Sequence, residues 1–314
     1  MKTEKNLTVN QKRKKGFKYY IKRDWQLYLL LSLPAVLVVI FKFLPMLGLS
    51  IAFMDYKPIK GFAGSEFVGM EVFQKIFTTP DFYKALKNTL LLNILDLLVG
   101  FPAPIILAIC INEIKCKWYK KTTQTVLYLP HFLSSVIVAG LAYQLFSPQS
   151  GYINQLIRDL GGETVPFLTE KVHWVVSYVL IGVWQGMGWG TIIYLAAITG
   201  IDAELYEAAT VDGAGRWRKI WNITLPSIKG TIVTMLIMSL GRIMGGSFER
   251  PFTLSNPMVT EMSETIAVYV YRAGLQNMQY SISTAVGLFQ SVVGVILVLI
   301  ADRIAKMFGE SGII

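Results

Sequence analysis

Charge is scarce in this chain: only 16% of its 314 residues are Asp, Glu, Lys or Arg, against 53% hydrophobic. A soluble domain carries nearer ~25% charged residues, so the composition already points to lipid. Histidine and cysteine are scarcer still, at two each. Cys110 and Cys116 form neither a CxxC pair nor another metal-ligand spacing, so no metal site is expected and both read as free thiols. No Gly-Lys dipeptide occurs, which excludes a phosphate-binding P-loop. A GxSxG elbow is also missing, as is a convincing Ser/His/Asp set. The chain shows no evident chemistry of its own and is not expected to be an enzyme.

What it has instead are long apolar runs. Six nearly uncharged segments fall at roughly 27–50, 88–111, 125–147, 174–198, 231–248 and 285–301. Each has about the 18 residues or more needed to cross ~30 Å of hydrocarbon. The reading is an all-α polytopic membrane protein with six transmembrane helices. The net charge of +10 is distributed unevenly. Nine Lys/Arg sit in the first 23 residues, four in 112–124, four in 199–230 and two after 301. These 19 face nine on the opposite side, which sets both termini in the cytoplasm. The run from Lys12 to Arg23 then reads as a topogenic flank beside anionic lipid rather than a nucleic-acid arm. The apolar run after it is too long for a signal peptide, and no small-residue cleavage pattern follows, so it is expected to be retained.

The polar residues inside the segments separate the first from the rest. Segment 2 carries Thr89, Asn93, Asp96 and Gly100 on one helical face; segment 5 has Ser239, Arg242 and Gly246; segment 6 has Ser283, Gly287, Gln290 and Gly294. Segment 3 has His131, Ser134 and Ser135, and segment 4 has Trp184, Gln185, Gly188 and Trp189. Segment 1 offers little beyond Ser32 and Lys42. Polar groups in hydrocarbon are costly, so such stripes face a bundle interior or a wet path. Segments 2–6 are therefore expected to form a five-helix core with segment 1 outside it. Asn93, Asp96, Trp184, Gln185, Trp189, Arg242 and Gln290 are the candidate path residues, with Asp96 the candidate partner of Arg242. On segment 4 the Trp/Gln face is assigned to the path and Gly182, Gly186 and Gly190 to helix packing. A purely structural Arg242, bonded to helix carbonyls, is the open alternative.

The most informative passage lies in the loop 199–230. Asp202 is suited to an N-cap and Glu204 to the first turn of a helix. Leu205, Ala208, Ala209 and Asp212 follow at helical spacing, and Gly213 suits the left-handed position that closes a helix. A second short helix, about 216–222, is expected to end before Pro226, which opens segment 5. The result is a helix–turn–helix on the cytoplasmic surface whose small alanines permit close approach by a partner.

This passage resembles the EAA signature of binding-protein-dependent ATP-binding-cassette permeases: EAA, three residues, Gly, nine residues, Ile-x-Leu-Pro. Glu207, Ala208, Ala209, Gly213, Ile223, Leu225 and Pro226 match every specified position, and Asp212 and Trp221 lie among them. Trp221 stands where the family often has Phe. The likeness extends to the oligosaccharide branch through Tyr28–Pro34, Pro45–Gly48, Phe67-Val68-Gly69, Leu254-Ser255-Asn256-Pro257, Tyr269–Arg272 and Ala285–Ser291. Glu249-Arg250 departs from that branch's more usual acidic–amide pair.

The resemblance implies a bacterial plasma-membrane permease of the type I importer kind, whose loop docks on an ATPase. It implies a second related permease, two ATPase subunits and an extracellular solute-binding lipoprotein as partners, with a carbohydrate as cargo. ATP and Mg would be used by the ATPase subunits, with no cofactor bound by this chain. It divides the chain into a basic segment 1–26, a first helix 27–54, an external loop 55–87, a permease core 88–303 and a tail 304–314. Two alternatives remain at this point: a permease for a non-sugar solute, and an ion-coupled carrier using Asp96, Arg242 and His131 as relays. Such carriers often contain internal repeats, and none is visible here.

Overall fold

A computed structural model describes Tyr19, residues 22–307 and Gly309. The basic run at 12–15 and most of the tail after 307 lie outside the described residues. Four helices are long and apolar enough to span a bilayer: Trp25–Phe53, Pro80–Asn112, Lys171–Thr199 and Tyr280–Met307. Two further spans are helix pairs bent by 102° and 61°, which brings the number to six. The chain divides between Ser50 and Ile51, so segments 2–6 form a unit without segment 1.

The first unit holds α1 (Trp25–Val38), continued by a π-turn over Val39–Phe43 and a tighter 3₁₀ stretch, Leu44–Phe53, whose last three residues belong to the second unit. Helix α1 buries none of its side chains. Pro34 lies inside it and supplies no backbone N–H, so the helix carries one open carbonyl turn before it widens.

The second unit begins with a two-stranded antiparallel ribbon, the only strands among the described residues. In it β1 (Met54–Asp55) pairs with β2 (Glu66–Phe67). The Ser281 hydroxyl donates to the Met54 carbonyl at 2.6 Å and accepts from the Tyr56 N–H at 3.0 Å, tying this ribbon to the outer end of the last helix. Amphipathic α2 (Glu71–Thr78) follows, burying Val72, Phe73 and Ile76. Thr79 is extended and Pro80 occupies the first helical turn, where its missing N–H costs nothing. So α3 (Pro80–Gly100) starts eight residues before the expected 88, and α4 (Pro102–Asn112) continues the span after a break at Phe101.

Segment 3 is not one continuous helix. α5 (Lys117–Tyr128) passes into a 3₁₀ turn at Leu129–Phe132, then Leu133 and Ser134 are extended, and α6 (Ser135–Phe146) leaves at a steep angle. Pro130 removes a backbone donor, and the Ser134 hydroxyl accepts from the Ile137 N–H at 3.3 Å, capping a new helix start. Short α7 (Tyr152–Asp159) lies in the external connection before α8 (Lys171–Thr199).

Segment 5 is also shorter than expected. α11 (Lys229–Gly241) stops well before 248, because Arg242–Gly245 form turns and Gly246 adopts φ +43°. The outer connection holds α12 (Glu249–Thr253) and α13 (Ile266–Tyr271), and α14 (Tyr280–Met307) closes the unit. The connecting α9 and α10 between α8 and α11 are described with the site below.

Lipid is as apolar as leucine, so this unit is held by close packing and satisfied polar groups rather than by escape from water. The Asn88 amide donates to the carbonyls of Glu261 and Glu264, at 2.7 and 3.0 Å. Thr89 accepts from the Ile266 N–H at 2.8 Å, and the Trp174 indole donates to the Leu254 carbonyl at 2.9 Å. These bonds fasten the irregular outer segment onto α3 and α8. Burial pushes the Glu264 carboxyl above its ordinary range, against the pull of Arg272 at 2.8 Å.

Candidate functional site

Two places collect the residues that carry function: a surface loop and an internal cavity. In the loop, α9 (Ala203–Val211) begins at Asp202, whose carboxylate accepts from the Glu204 N–H at 3.0 Å. The helix ends in a Schellman motif: the Ala214 N–H reaches the Ala209 carbonyl at 2.8 Å, and the Gly213 N–H reaches Thr210 at 3.1 Å. Gly213 itself sits at φ +72°, a conformation that costs an L side chain roughly 1–2 kcal/mol. α10 (Arg216–Lys219) then passes through a π-turn at Ile220–Thr224 and a last turn at Leu225–Ser227. Helical backbone therefore runs through Pro226 instead of ending before it, because the wider π-turn absorbs the break.

Bonds across the loop hold its two halves together. The Tyr206 hydroxyl lies 3.0 Å from Thr224 Oγ1, and Lys219 Nζ donates to Thr210 Oγ1 at 2.7 Å. Arg216 approaches Glu113 at 3.7 Å, linking the loop to the end of α4. The side chains left outward include Glu207, Ala208, Asp212, Trp217 and Trp221, and Val211 is 89% exposed. Ile223 and Leu225 are half-buried and Thr224 is buried, so Ile-x-Leu-Pro anchors the loop while the alanine face stays open.

The cavity has a volume of about 640 Å³. Its walls come from α3 and α4 (Asn93, Asp96, Gly100, Pro104), α8 (Gly182, Gly186, Gly190, Tyr194), α11 with its following turns (Ser239, Arg242, Gly246, Ser247) and α12 (Arg250). Of the expected path residues, Asn93, Asp96 and Arg242 meet here. The Asn93 amide donates to the Ile243 carbonyl at 2.7 Å, one of the carbonyls released where α11 stops. Gln290 donates to the Met244 carbonyl in the same turn and lines an adjoining groove with Arg242 and Gly294.

Three expectations are corrected here. Asp96 pairs with Arg250, not with Arg242, and the Arg250 guanidinium also lies 4.0 Å over the Tyr178 ring. Arg242 is not in mid-helix; it caps the end of α11 and bonds the Met238 carbonyl through Nε at 3.4 Å. On α8 the expected division of faces holds only in part. Glycines 182, 186 and 190 line the cavity and the Trp/Gln side does not. Yet Gly182 packs against Arg250 and Gly190 against Pro104, leaving only Gly186 of the three open. Gln185 donates to the Leu133 carbonyl at 3.0 Å, filling the break in segment 3. Trp189 stacks on His131 at 4.6 Å, and Trp184 borders a separate apolar cavity with Leu145, Val172 and Val176. Gly188 is packed against backbone, since a Cβ there would run into the Leu127 carbonyl. The sharp bend of segment 3 brings Leu133 and His131 against Gln185 and Trp189, while Trp184 and Trp189 stay partly exposed.

Sequence reasoning missed Arg250, Gly182 and Gly186 as wall residues, and Tyr178 as the ring beneath Arg250. The signal for Arg250 was the Gly245-Gly246 pair, which stops α11 early and turns the chain back toward Asp96.

A family model described as "Binding-protein-dependent transport system inner membrane component" matches residues 82–310. The chain belongs to that family. This permease is 48% identical over 287 residues to the polygalacturonan/rhamnogalacturonan transport system permease protein YteP of Bacillus subtilis strain 168. That match covers 91% of this chain and 89% of the relative. It is 45% identical to Protein LplB of the same organism, over 93% of this chain and 92% of that one. Among solved structures it resembles a bacterial ABC transporter involved in import of the acidic polysaccharide alginate. The TM-score is 0.85 at 42% identity, over 92% of this chain and 98% of the other. A second crystal structure, of an alginate transporter in complex with its pentasaccharide-bound periplasmic protein, matches with TM-score 0.86 at 41% identity, over 95% and 99% of the two chains. The permease is thus a multi-pass membrane protein and a transport component, not an enzyme.

Proposed function

We propose that this permease forms one half of the membrane path of a sugar importer, passing an oligosaccharide released by an extracellular binding protein into the cytoplasm. The observation that carries the reading is its likeness, at 41–42% identity over nearly the whole chain, to subunits of importers solved for such a cargo. A second, homologous permease completes the path, because six spans alone enclose little room for a sugar chain. Two ATPase subunits supply the energy, and this chain binds neither ATP nor another cofactor. Its α9–α10 loop is the docking element. Glu207, Ala208 and Val211 face outward on a helix whose end is locked by Gly213, and Trp217 and Trp221 stand exposed beside it. The excess of Lys and Arg on the loop side puts both termini in the cytoplasm of a bacterial cell.

The reading is tested in liposomes containing this chain, its permease partner, the ATPases and the binding protein. ATP-dependent uptake of an oligosaccharide is expected, with no photolabelling of the isolated chain by azido-ATP. Saturable labelling of the isolated chain defeats the assignment of ATP binding to partners.

A further inference from the structure

We propose that Arg242 is the residue through which this permease reads a carboxylate on its cargo, so that the oligosaccharides it passes carry uronate groups. The inference rests on the carbohydrate reading above and sharpens it. Three permanently or readily charged side chains line the cavity: Asp96, Arg242 and Arg250. Asp96 and Arg250 neutralise each other in a largely buried pair, with side chains 26% and 16% exposed, and Tyr178 covers the guanidinium. That pair cancels its own charge, although the buried Arg250 Nε has no hydrogen-bond partner among the described residues. Arg242 stands apart from it. Its hydrogen bond is to Met238, a carbonyl of its own helix, through Nε. Both terminal nitrogens of its guanidinium therefore remain for another acceptor. Among the described residues no carboxylate comes within ion-pair distance of Arg242.

The position makes this surplus charge costly unless something answers it. α11 is 13 residues long, which puts Arg242 about 20 Å along the axis from its start, well inside the bilayer. A cation at that depth needs water or an anion. The end of α11 supplies roughly half a negative charge, enough to hold the arginine in place but not to cancel it. A guanidinium fork offers two parallel N–H groups that a carboxylate accepts with both oxygens and with opposite charge, roughly twice as strongly as neutral hydroxyls do. The rest of the wall suits a pyranose chain. Ser239 and Ser247 supply hydroxyls, and at Gly186 a built Cβ meets nothing within 4 Å. The neutral Asp96–Arg250 pair fixes the wall, and Arg242 gives it its sign.

The complete importer, reconstituted in liposomes, is offered tetragalacturonate, an alginate tetrasaccharide and a neutral arabinotetraose. Wild type is expected to take up at least one acidic sugar in preference to the neutral one. Arg242→Gln lowers uptake of the acidic sugar at least tenfold, Arg242→Lys keeps it within about threefold, and Arg242→Glu abolishes it. Size-exclusion chromatography checks that each variant assembles with its partners. If Arg242→Gln does not assemble, wild type is compared on tetragalacturonate and its methyl ester, with the ester expected to be at least tenfold slower. The inference is overturned by wild-type preference for the neutral sugar, by full acidic uptake in Arg242→Gln, or by equal rates for acid and ester. An Arg242→Lys loss as deep as that of Arg242→Gln overturns it too, since the role is then one of shape. A wild-type importer that moves none of these sugars, while hydrolysing ATP with its partners, overturns the carbohydrate reading itself.

Discussion

The surface loop and the internal cavity differ in how far apart in sequence their parts lie. Every bond that shapes the loop is made between residues 202 and 224, apart from the single reach of Arg216 to Glu113. The cavity joins Asp96 to Arg250 and Asn93 to Ile243, across stretches of 154 and 150 residues. Local rules of capping and turn chemistry suffice for the first. The second depends on where helices stop, because a helix ended a few residues early swings every later side chain to a new wall.

The sharpest way to test the local half is at Gly213. A β-branched residue at φ +72° is strongly disfavoured, so Gly213→Val must unwind the Schellman turn or tilt α9. Uptake is expected to fall by at least a hundredfold, with membrane insertion unchanged by alkaline extraction. Glu207→Arg, which reverses the charge on the open face, is expected to do the same without touching the turn. Full transport by both variants means that the loop is not the ATPase contact.

The non-local half is tested at the ion pair. Leaving Arg250 without Asp96 strands a largely buried cation, a loss on the order of 3–5 kcal/mol for fully buried pairs and less here because both groups touch the cavity. Asp96→Ala is expected to lower the thermal midpoint of the purified chain by several degrees. Asp96→Ala combined with Arg250→Met is expected to recover much of that. An additive loss in the double variant breaks the claim that the two residues form a unit.

Much of this was legible in the sequence. The six runs, the capping Asp202 and the left-handed Gly213 follow from composition and local stereochemistry, and each has its expected place. The extents of segments 3 and 5 were not legible from hydropathy, since Pro130 and the Gly245-Gly246 pair interrupt helices without interrupting apolarity. The false Asp96–Arg242 pairing follows directly. With segment 5 drawn to 248, Arg242 was its buried cation and Arg250 lay outside. The misassigned path face of α8 has the same origin, because only the break in segment 3 frees the Leu133 carbonyl that takes the Gln185 amide.

The smallest effect, and the finest test of the comparison, is the contrast between Gly186 and Gly188. They lie two residues apart on α8, about 200° round the helix, and so sample opposite sides of it. A Cβ on Gly188 meets the Leu127 backbone, which cannot step aside as a side chain would, so Gly188→Ala is expected to cost about 1–3 kcal/mol. A Cβ on Gly186 meets nothing within 4 Å, so Gly186→Ala gains helix propensity with no clash, a stabilisation of roughly 0.5–1 kcal/mol. Larger residues at 186 then fill the cavity: uptake is expected to fall progressively through Val, Leu and Phe while the thermal midpoint holds. Cysteine at 186 should react with a small water-soluble thiol reagent, and cysteine at 185, bonded in wild type to Leu133, should not. Reaction at 185 with protection at 186 reverses the assignment of faces, and stable, fully active Gly186→Phe removes this wall from the path. A bilayer-facing glycine would give neither the graded loss nor the labelling, because lipid yields to a larger side chain and excludes the reagent.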